Sequence, residues 1–331
     1  MKEVQLSKES FANYRYFEPD DTASSGQATG ANTSRNFVTY LTLFESDLYC
    51  INDLNCYYDA QHIFKPTITG RFSMNFTRKG YFTFATYKRL EEEFASRIML
   101  EKPGCEFRFV QQLPGEGACT VFSFAAEAYH LIQERYSLKE TGFFSNPDMF
   151  SIIIAASAEA DLIHHQILKC LSQGRISSLE IDCLVAELVE VVVSLLVGLK
   201  KLKEVPYNTK RIHLQTIERA KEYLIENLSK NITLRELARE CYVSQFHFTR
   251  LFKDFCGYSP FEYLQKIRLK HAEALITSTE LPITDICFRS GFNRLDYFST
   301  AFSKQYGASP TRYKINARPA RVFFEKPRQI A

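Results

Sequence analysis

A chain of 331 residues is longer than a usual single domain, so two domains are expected. Its hydrophobic share of 45% and charged share of 24% are ordinary for a soluble globular protein. The net charge of +3 hides a division: residues 213–331 carry 19 Lys and Arg against 12 Asp and Glu, whereas residues 1–212 carry 22 against 26. A basic third joined to a mildly acidic remainder is an electrostatic footprint for nucleic acid.

Other classes recede on the same count. The nine cysteines include no C-x-x-C pair, and several sit inside helical patterns. They read as reduced, packed thiols of a cytoplasmic protein. Residues 1–10 have no apolar run after their charges, so no secretory signal is expected.

Residues 1–36 are polar, with Asp20, Asp21, Ser24, Ser25, Gly26 and Gly30, and read as a flexible segment. From Phe37 the hydrophobic period becomes two. Strands are predicted at 37–43, 71–76, 81–84, 98–100, 107–110 and 120–124, with turns at 78–80, 102–104 and 114–117. Many short punctuated strands imply a small sandwich or barrel. A metal barrel needs several His and a carboxylate on one ion, and the strands offer His62 alone, so no metal and no cofactor are expected. A small-molecule effector in the barrel remains open. His62, Arg71, Arg78 and Arg108 are its candidate contacts, the arginines because a guanidinium pairs a carboxylate or phosphate bidentately. The plainer reading of each is a solvated or packed residue.

Helices are predicted at 125–136, 147–172 and 178–201. In the last, Ile181, Leu184, Leu188, Val191 and Leu195 are spaced three and four apart, the seam of a two-helix contact, and predict a homodimer interface. Asp182, Glu187 and Glu190 interrupt the apolar run, which argues against a membrane span. Residues 204–212 are polar and contain Pro206, a candidate linker. The expected domains are therefore 37–203, regulatory and dimerising, and 213–331, DNA-binding.

The second domain says the same thing twice. Leu234 and Leu237 match Ile283 and Ile286 at an offset of 49. Phe248, Phe252, Gly257, Ser259, Pro260 and Tyr263 match Phe298, Phe302, Gly307, Ser309, Pro310 and Tyr313 at an offset of 50. Each half has the plan of a helix-turn-helix. Ser244 suits the N-cap of the second helix, which buries Phe248, Leu251, Phe252 and Phe255. Gly291 sits in the turn, where positive φ is common; its counterpart is Tyr242, for which a left-handed turn costs roughly 1–2 kcal/mol. A helix over 261–276 joins the halves and spans about 24 Å. With the flanking widths, it can set two recognition helices one turn of B-DNA apart, about 34 Å.

The run from Ser290 to Tyr313, preceded by Tyr263 to Leu275, resembles the DNA-binding domain of the AraC/XylS family of bacterial transcription regulators. The resemblance implies a multidomain α and β protein. A cupin-like β-barrel with C-terminal helices would be followed by an all-α double helix-turn-helix domain. It also implies a sequence-specific, non-enzymatic regulator or activator on double-stranded DNA, controlled by a small molecule and able to engage RNA polymerase. DNA contacts would fall on Ser244, Gln245, Phe246, Thr249, Arg250 and Lys253 in the first unit, and on Arg268 of the joining helix. In the second unit they would fall on Arg294, Leu295, Asp296, Tyr297 and Thr300. Thr300 stands where members often carry a basic residue, and Asp296 would repel phosphate unless it accepts a cytosine amine. The alternatives are an interaction-only regulator that binds a partner protein and a cupin-type metal enzyme fused to a DNA-binding domain. A cysteine alkyl acceptor is disfavoured because no Cys has Pro-Cys-His-Arg surroundings.

Overall fold

The computed structural model describes residues 36–86, 90–138, 142–174, 177–198 and 203–316. Residues 1–35 of the amino-terminal segment and the basic tail from residue 317 lie outside them. The chain divides into two compact units, Met1–Ile154 and Ala155–Ala331.

The first unit holds β1 (Phe37–Glu45), β2 (Tyr49–Tyr58), β3 (His62–Ile63), β4 (Thr67–Ile68), β5 (Phe72–Lys79) and β6 (Tyr81–Thr86). After these come β7 (Leu90–Phe94), β8 (Arg97–Glu101), β9 (Glu106–Gln111) and β10 (Gly115–Phe124), then α1 (Ala126–Arg135), α2 (Gly142–Ser145) and β11 (Ser151–Ala155). Among the described residues the strands form two open sheets rather than a closed barrel. One runs β1-β2-β10-β5-β8-β11; the other runs β3-β9-β6-β7, with β4 also on β9. Phe82, Phe84, Phe107 and Phe109 form a buried cluster on the smaller sheet. A second aromatic core lies on the side of the larger sheet that carries Phe72, Met74, Phe76, Phe122 and Phe124. There Phe72 stacks on Tyr129 of α1 at 4.8 Å and meets Phe144 of α2 at 5.9 Å.

Two departures from expectation have local causes. The predicted helix over 147–172 starts late, because Ile152, Ile153 and Ile154 are β-branched and form an edge strand instead. Strand β2 had no expectation at all, since Asn52, Asp53 and Asn55 interrupt its apolar alternation.

The second unit begins with α3 (Ala158–Gln173) and α4 (Ser178–Val197). Ser157 caps α3, and Ser177 with Glu180 forms a capping box on α4. These helices, read from the sequence as part of the amino-terminal domain, pack with the carboxy-terminal helices. The supposed linker is shortened at its far end. Pro206 precedes α5 (Tyr207–Glu226), where a proline starts a helix rather than breaking one. The helix-turn-helix units follow: α6 (Leu234–Glu240) with α7 (Gln245–Cys256), and α9 (Ile283–Arg289) with α10 (Leu295–Tyr306). Between them runs α8 (Pro260–Ser278), 19 residues and so about 28 Å long; α11 (Pro310–Asn316) follows α10.

The duplication persists in three dimensions. Gly257 and Gly307 end α7 and α10 in left-handed conformations, with φ of 79° and 74°. Ser259 and Ser309 then accept from the amides of Glu262 and Arg312. Tyr263 and Tyr313 each donate to a carboxylate, Asp161 at 2.9 Å and Glu273 at 3.0 Å.

Asp161 is the hub of the unit. One carboxylate oxygen accepts from Tyr263, the other from Lys221 of α5 at 3.0 Å. Glu159 accepts from Lys266 at 3.1 Å, and Lys270 is ion-paired with Glu187 of α4 and with Glu273. These pairs tie α3 and α4 to the joining helix α8.

Candidate nucleic-acid interface

Helix α7 separates two faces cleanly. Phe248, Leu251, Phe252, Phe255 and Cys256 are buried. Ser244, Gln245, Phe246, Arg250 and Lys253 are exposed, Phe246 by 86%, while Thr249 is half-buried and bonds back to the Gln245 carbonyl at 3.1 Å. A phenylalanine that exposed at the start of a helix, beside an arginine and a lysine, has no fold-stabilising role within the protomer. Ser244 holds the N-cap position but its side chain accepts no bond from the helix. In the turn before it Tyr242 adopts φ of 56°, with Arg219 over its ring at 5.3 Å.

Helix α10 repeats the arrangement. Phe298 and Phe302 enter a core with Leu269, Ala272, Ile276, Ile286, Cys287 and Phe292. Arg294, Leu295, Asp296, Tyr297 and Thr300 are exposed. The Arg294 guanidinium forks onto Asp296, Nε to Oδ1 at 3.2 Å and Nη2 to Oδ2 at 2.5 Å. That hydrogen-bonded pairing holds the Asp296 carboxyl below its usual range and raises Arg294. The carboxylate is thus neutralised within its own turn instead of standing as a bare repulsive charge. Gln265 of α8 donates to the Tyr297 hydroxyl at 3.0 Å, and Thr300 bonds back to the Asp296 carbonyl at 2.9 Å. An open groove separates the start of α8 from the start of α10; Phe261, Gln265, Asn293, Arg294, Tyr297 and Thr300 are among its walls.

Arg268 has a different place from the phosphate grip expected of it. Its Nε donates to the Leu228 carbonyl at 2.7 Å and its Nη2 to the Lys230 carbonyl at 2.6 Å. It therefore satisfies two backbone acceptors in the segment that follows α5. Gly291 lies against it: a Cβ there would sit 2.7 Å from Arg268 Nε and 2.4 Å from the Leu228 oxygen.

A family model described as a helix-turn-helix domain matches residues 237–315. The chain is 31% identical over 112 residues to the "Probable transcriptional regulator LumQ" of Photobacterium leiognathi, covering 34% of this chain and 45% of that one. It is 32% identical over 109 residues to the "Bifunctional transcriptional activator/DNA repair enzyme AdaA" of Bacillus subtilis, covering 33% of this chain and 52% of that one. The likeness to the lactose operon transcription activator of Staphylococcus xylosus reaches further, 29% over 230 residues, 60% of this chain and 80% of the relative. The carboxy-terminal domain of the chain is similar to the DNA-binding domain of AraC/XylS-type transcription regulators. The chain spans about half the length of the first two of these curated relatives.

Elsewhere in the chain the sequence-derived candidates each have contacts of their own. Arg78 is ion-paired with Asp53, and Arg108 is exposed on the far side of its strand from the inward-facing Phe107 and Phe109. His62 stacks on Tyr58 at 3.8 Å, and Arg71 is half-buried with a long contact to Cys50 Sγ. On α4, Ile181 and Leu188 are fully buried inside the protomer, which leaves Leu184, Val191 and Leu195 partly exposed. All nine cysteines are free, and among the described residues no His, Cys, Asp and Glu group fits a metal ion. No described helix is long and apolar enough to cross a membrane.

The polar residues that sequence reasoning missed lie between the sheets: Asn75, Thr77, Glu93, Glu101 and Ser123, all buried. Their signal was present. Ser73, Asn75 and Thr77 alternate with Phe72, Met74 and Phe76 in β5, a pattern that normally marks a solvated strand face.

Proposed function

We propose that this protein regulates transcription by binding double-stranded DNA through the exposed faces of α7 and α10. The observation that carries the reading is the duplicated architecture in which each second helix buries its phenylalanines and leaves a reading face uncovered. In the first unit that face presents Phe246, Arg250 and Lys253; in the second it presents Arg294, Leu295, Tyr297 and Thr300. Arginine supplies phosphate or guanine contacts, and exposed aromatic rings can meet thymine methyls. Asp296, already paired, would read a cytosine amine only after Arg294 turns to the DNA backbone. Arg268 stays with the fold.

The amino-terminal unit would sense a small molecule, which shifts DNA affinity through different contacts in two states of the protein. Homodimerisation would use the partly exposed side of α4, at Leu184, Val191 and Leu195; sedimentation of the full chain at tens of micromolar showing only monomer would remove that element. The reading assigns no enzymatic step and a cytoplasmic location. A gel shift on genomic fragments, including the region upstream of its own gene, tests it. A specific, salt-sensitive shift is expected. No shift at low salt on any fragment would contradict it.

A further inference from the structure

The two reading helices do not use equivalent positions alike. At the offset of 50, Phe246 corresponds to Asp296, His247 to Tyr297 and Arg250 to Thr300. In α7 the first and last of these are exposed, whereas His247 is half-buried and meets the His213 ring of α5 at 5.1 Å. In α10 the arrangement is reversed. Asp296 is held by the Arg294 fork, and the Thr300 hydroxyl donates to the Asp296 carbonyl. The residue between them, Tyr297, is 54% exposed.

Two neighbours aim Tyr297. Its ring tilts against the buried Phe292, with centroids 6.2 Å apart. Its hydroxyl oxygen accepts from Gln265 Nε2 of α8 at 3.0 Å. Gln265 lies one turn before Arg268, whose bonds to the Leu228 and Lys230 carbonyls fix that stretch of α8. Accepting from an amide occupies a lone pair and leaves the hydroxyl proton unused, since a Tyr hydroxyl accepts and donates at once. Among the described residues nothing accepts that proton. Of the exposed polar side chains in the first two turns of α10, Tyr297 is therefore the one with a donor still to offer. It lies on the wall of the open groove between α8 and α10, a wall that also includes Asn293 and Arg294.

We propose that Gln265 is a positioning residue for Tyr297, and that the Tyr297 hydroxyl donates to an acceptor atom of double-stranded DNA. The inference rests on the reading of α10 as a DNA-reading helix and narrows it. The second unit recognises an acceptor through a hydroxyl, where the first unit offers the Phe246 ring to a thymine methyl. Guanine O6 and N7, adenine N7, thymine O4 and phosphate oxygens all have the required chemistry. Holding the ring before binding reduces the side-chain ordering that association otherwise costs. Without Gln265 the hydroxyl keeps its proton but loses its fixed direction.

The test uses the full chain and a DNA fragment that it shifts specifically, with Tyr297→Phe, Gln265→Met and the variant carrying both. Tyr297→Phe should weaken binding about tenfold. Gln265→Met should weaken it by about threefold or more when Tyr297 is present, and not at all in the Tyr297→Phe background. Melting temperatures should move little, because the pair lies at the surface. Selection from a randomised version of the fragment then identifies the acceptor, and either result supports the proposal. Preference lost at one base pair in Tyr297→Phe marks a base edge; a uniform loss with preferences kept marks a phosphate. The proposal is overturned if Tyr297→Phe binds undiminished, or if the Gln265→Met loss is absent or is the same in both backgrounds. Those results would leave the regulator reading standing, whereas an unaltered chain that shifts no fragment would take both readings down.

Discussion

Tyr242 and Gly291 hold the same turn in the two helix-turn-helix units, and both adopt positive φ, 56° and 82°. The residues are not equally bound to that geometry. Tyr242 is 84% exposed, and only its own backbone is strained. Gly291 is buried, and any Cβ would strike the Leu228 carbonyl and Arg268. Replacing Tyr242 by Gly relieves left-handed strain of roughly 1–2 kcal/mol but adds unfolded-chain entropy and loses the Arg219 contact, so stability should change by less than about 1 kcal/mol. Gly291→Ala combines the strain with a displaced Arg268 and should cost more than about 2 kcal/mol. Chemical denaturation of both variants checks the contrast; equal effects would contradict it.

Arg250 and Arg268 should fail in opposite ways. Arg250 is exposed on the reading face, so Arg250→Ala should leave the melting curve unchanged and weaken specific DNA binding by about 1–3 kcal/mol. Arg268→Met removes two bonds to backbone carbonyls and should destabilise by roughly 2–4 kcal/mol. Whatever Arg268→Met protein remains folded should keep the salt dependence of DNA binding. A lowered slope for that variant would restore Arg268 to the phosphate contacts.

The repeat was legible because its punctuation is chemical. Gly257, Gly307, Pro260 and Pro310 mark helix ends, and the paired phenylalanines mark one buried face. The strained turn at Tyr242 was legible for the same reason, by comparison with Gly291. The carbonyl bonds of Arg268 were not legible because nothing local distinguishes an exposed arginine from one reaching carbonyls 38 and 40 residues away. The edge strand at Ile152–Ile154 and the inward polar face of β5 were lost for a related cause. Periodicity reports that two faces differ, not which of them other elements will cover.

Asp161 offers a test of how α3 is fixed to α5 and α8. Asp161→Ala would leave Lys221, itself buried, without this carboxylate partner, and should cost about 3–5 kcal/mol. Adding Lys221→Met should recover much of that loss. Additive losses in the double variant, measured by denaturation, would mean that the pair is not coupled.

The pH dependence of stability should carry the mark of Glu93. Its folded pKa of about 8 lies above the unfolded value of 4.5, because burial penalises the charged form. The unfolded chain therefore releases this proton first. Stability is full below pH 4.5, falls by about 1.4 kcal/mol per pH unit between the two values, and levels off above the folded one. Glu93→Gln cannot titrate and should flatten the decline between pH 5 and 8. Parallel melting-temperature profiles for the two proteins would show that Glu93 is not buried in neutral form.

The central claim is that α7 and α10 enter successive major-groove segments on one face of DNA. Hydroxyl-radical footprinting of the full chain on a shifted fragment measures this directly. Two protected segments about one helical turn apart are expected, one lost in Arg250→Ala and the other in a double Arg294→Ala, Tyr297→Ala variant. A single protected segment, or two that both survive those substitutions, would contradict it.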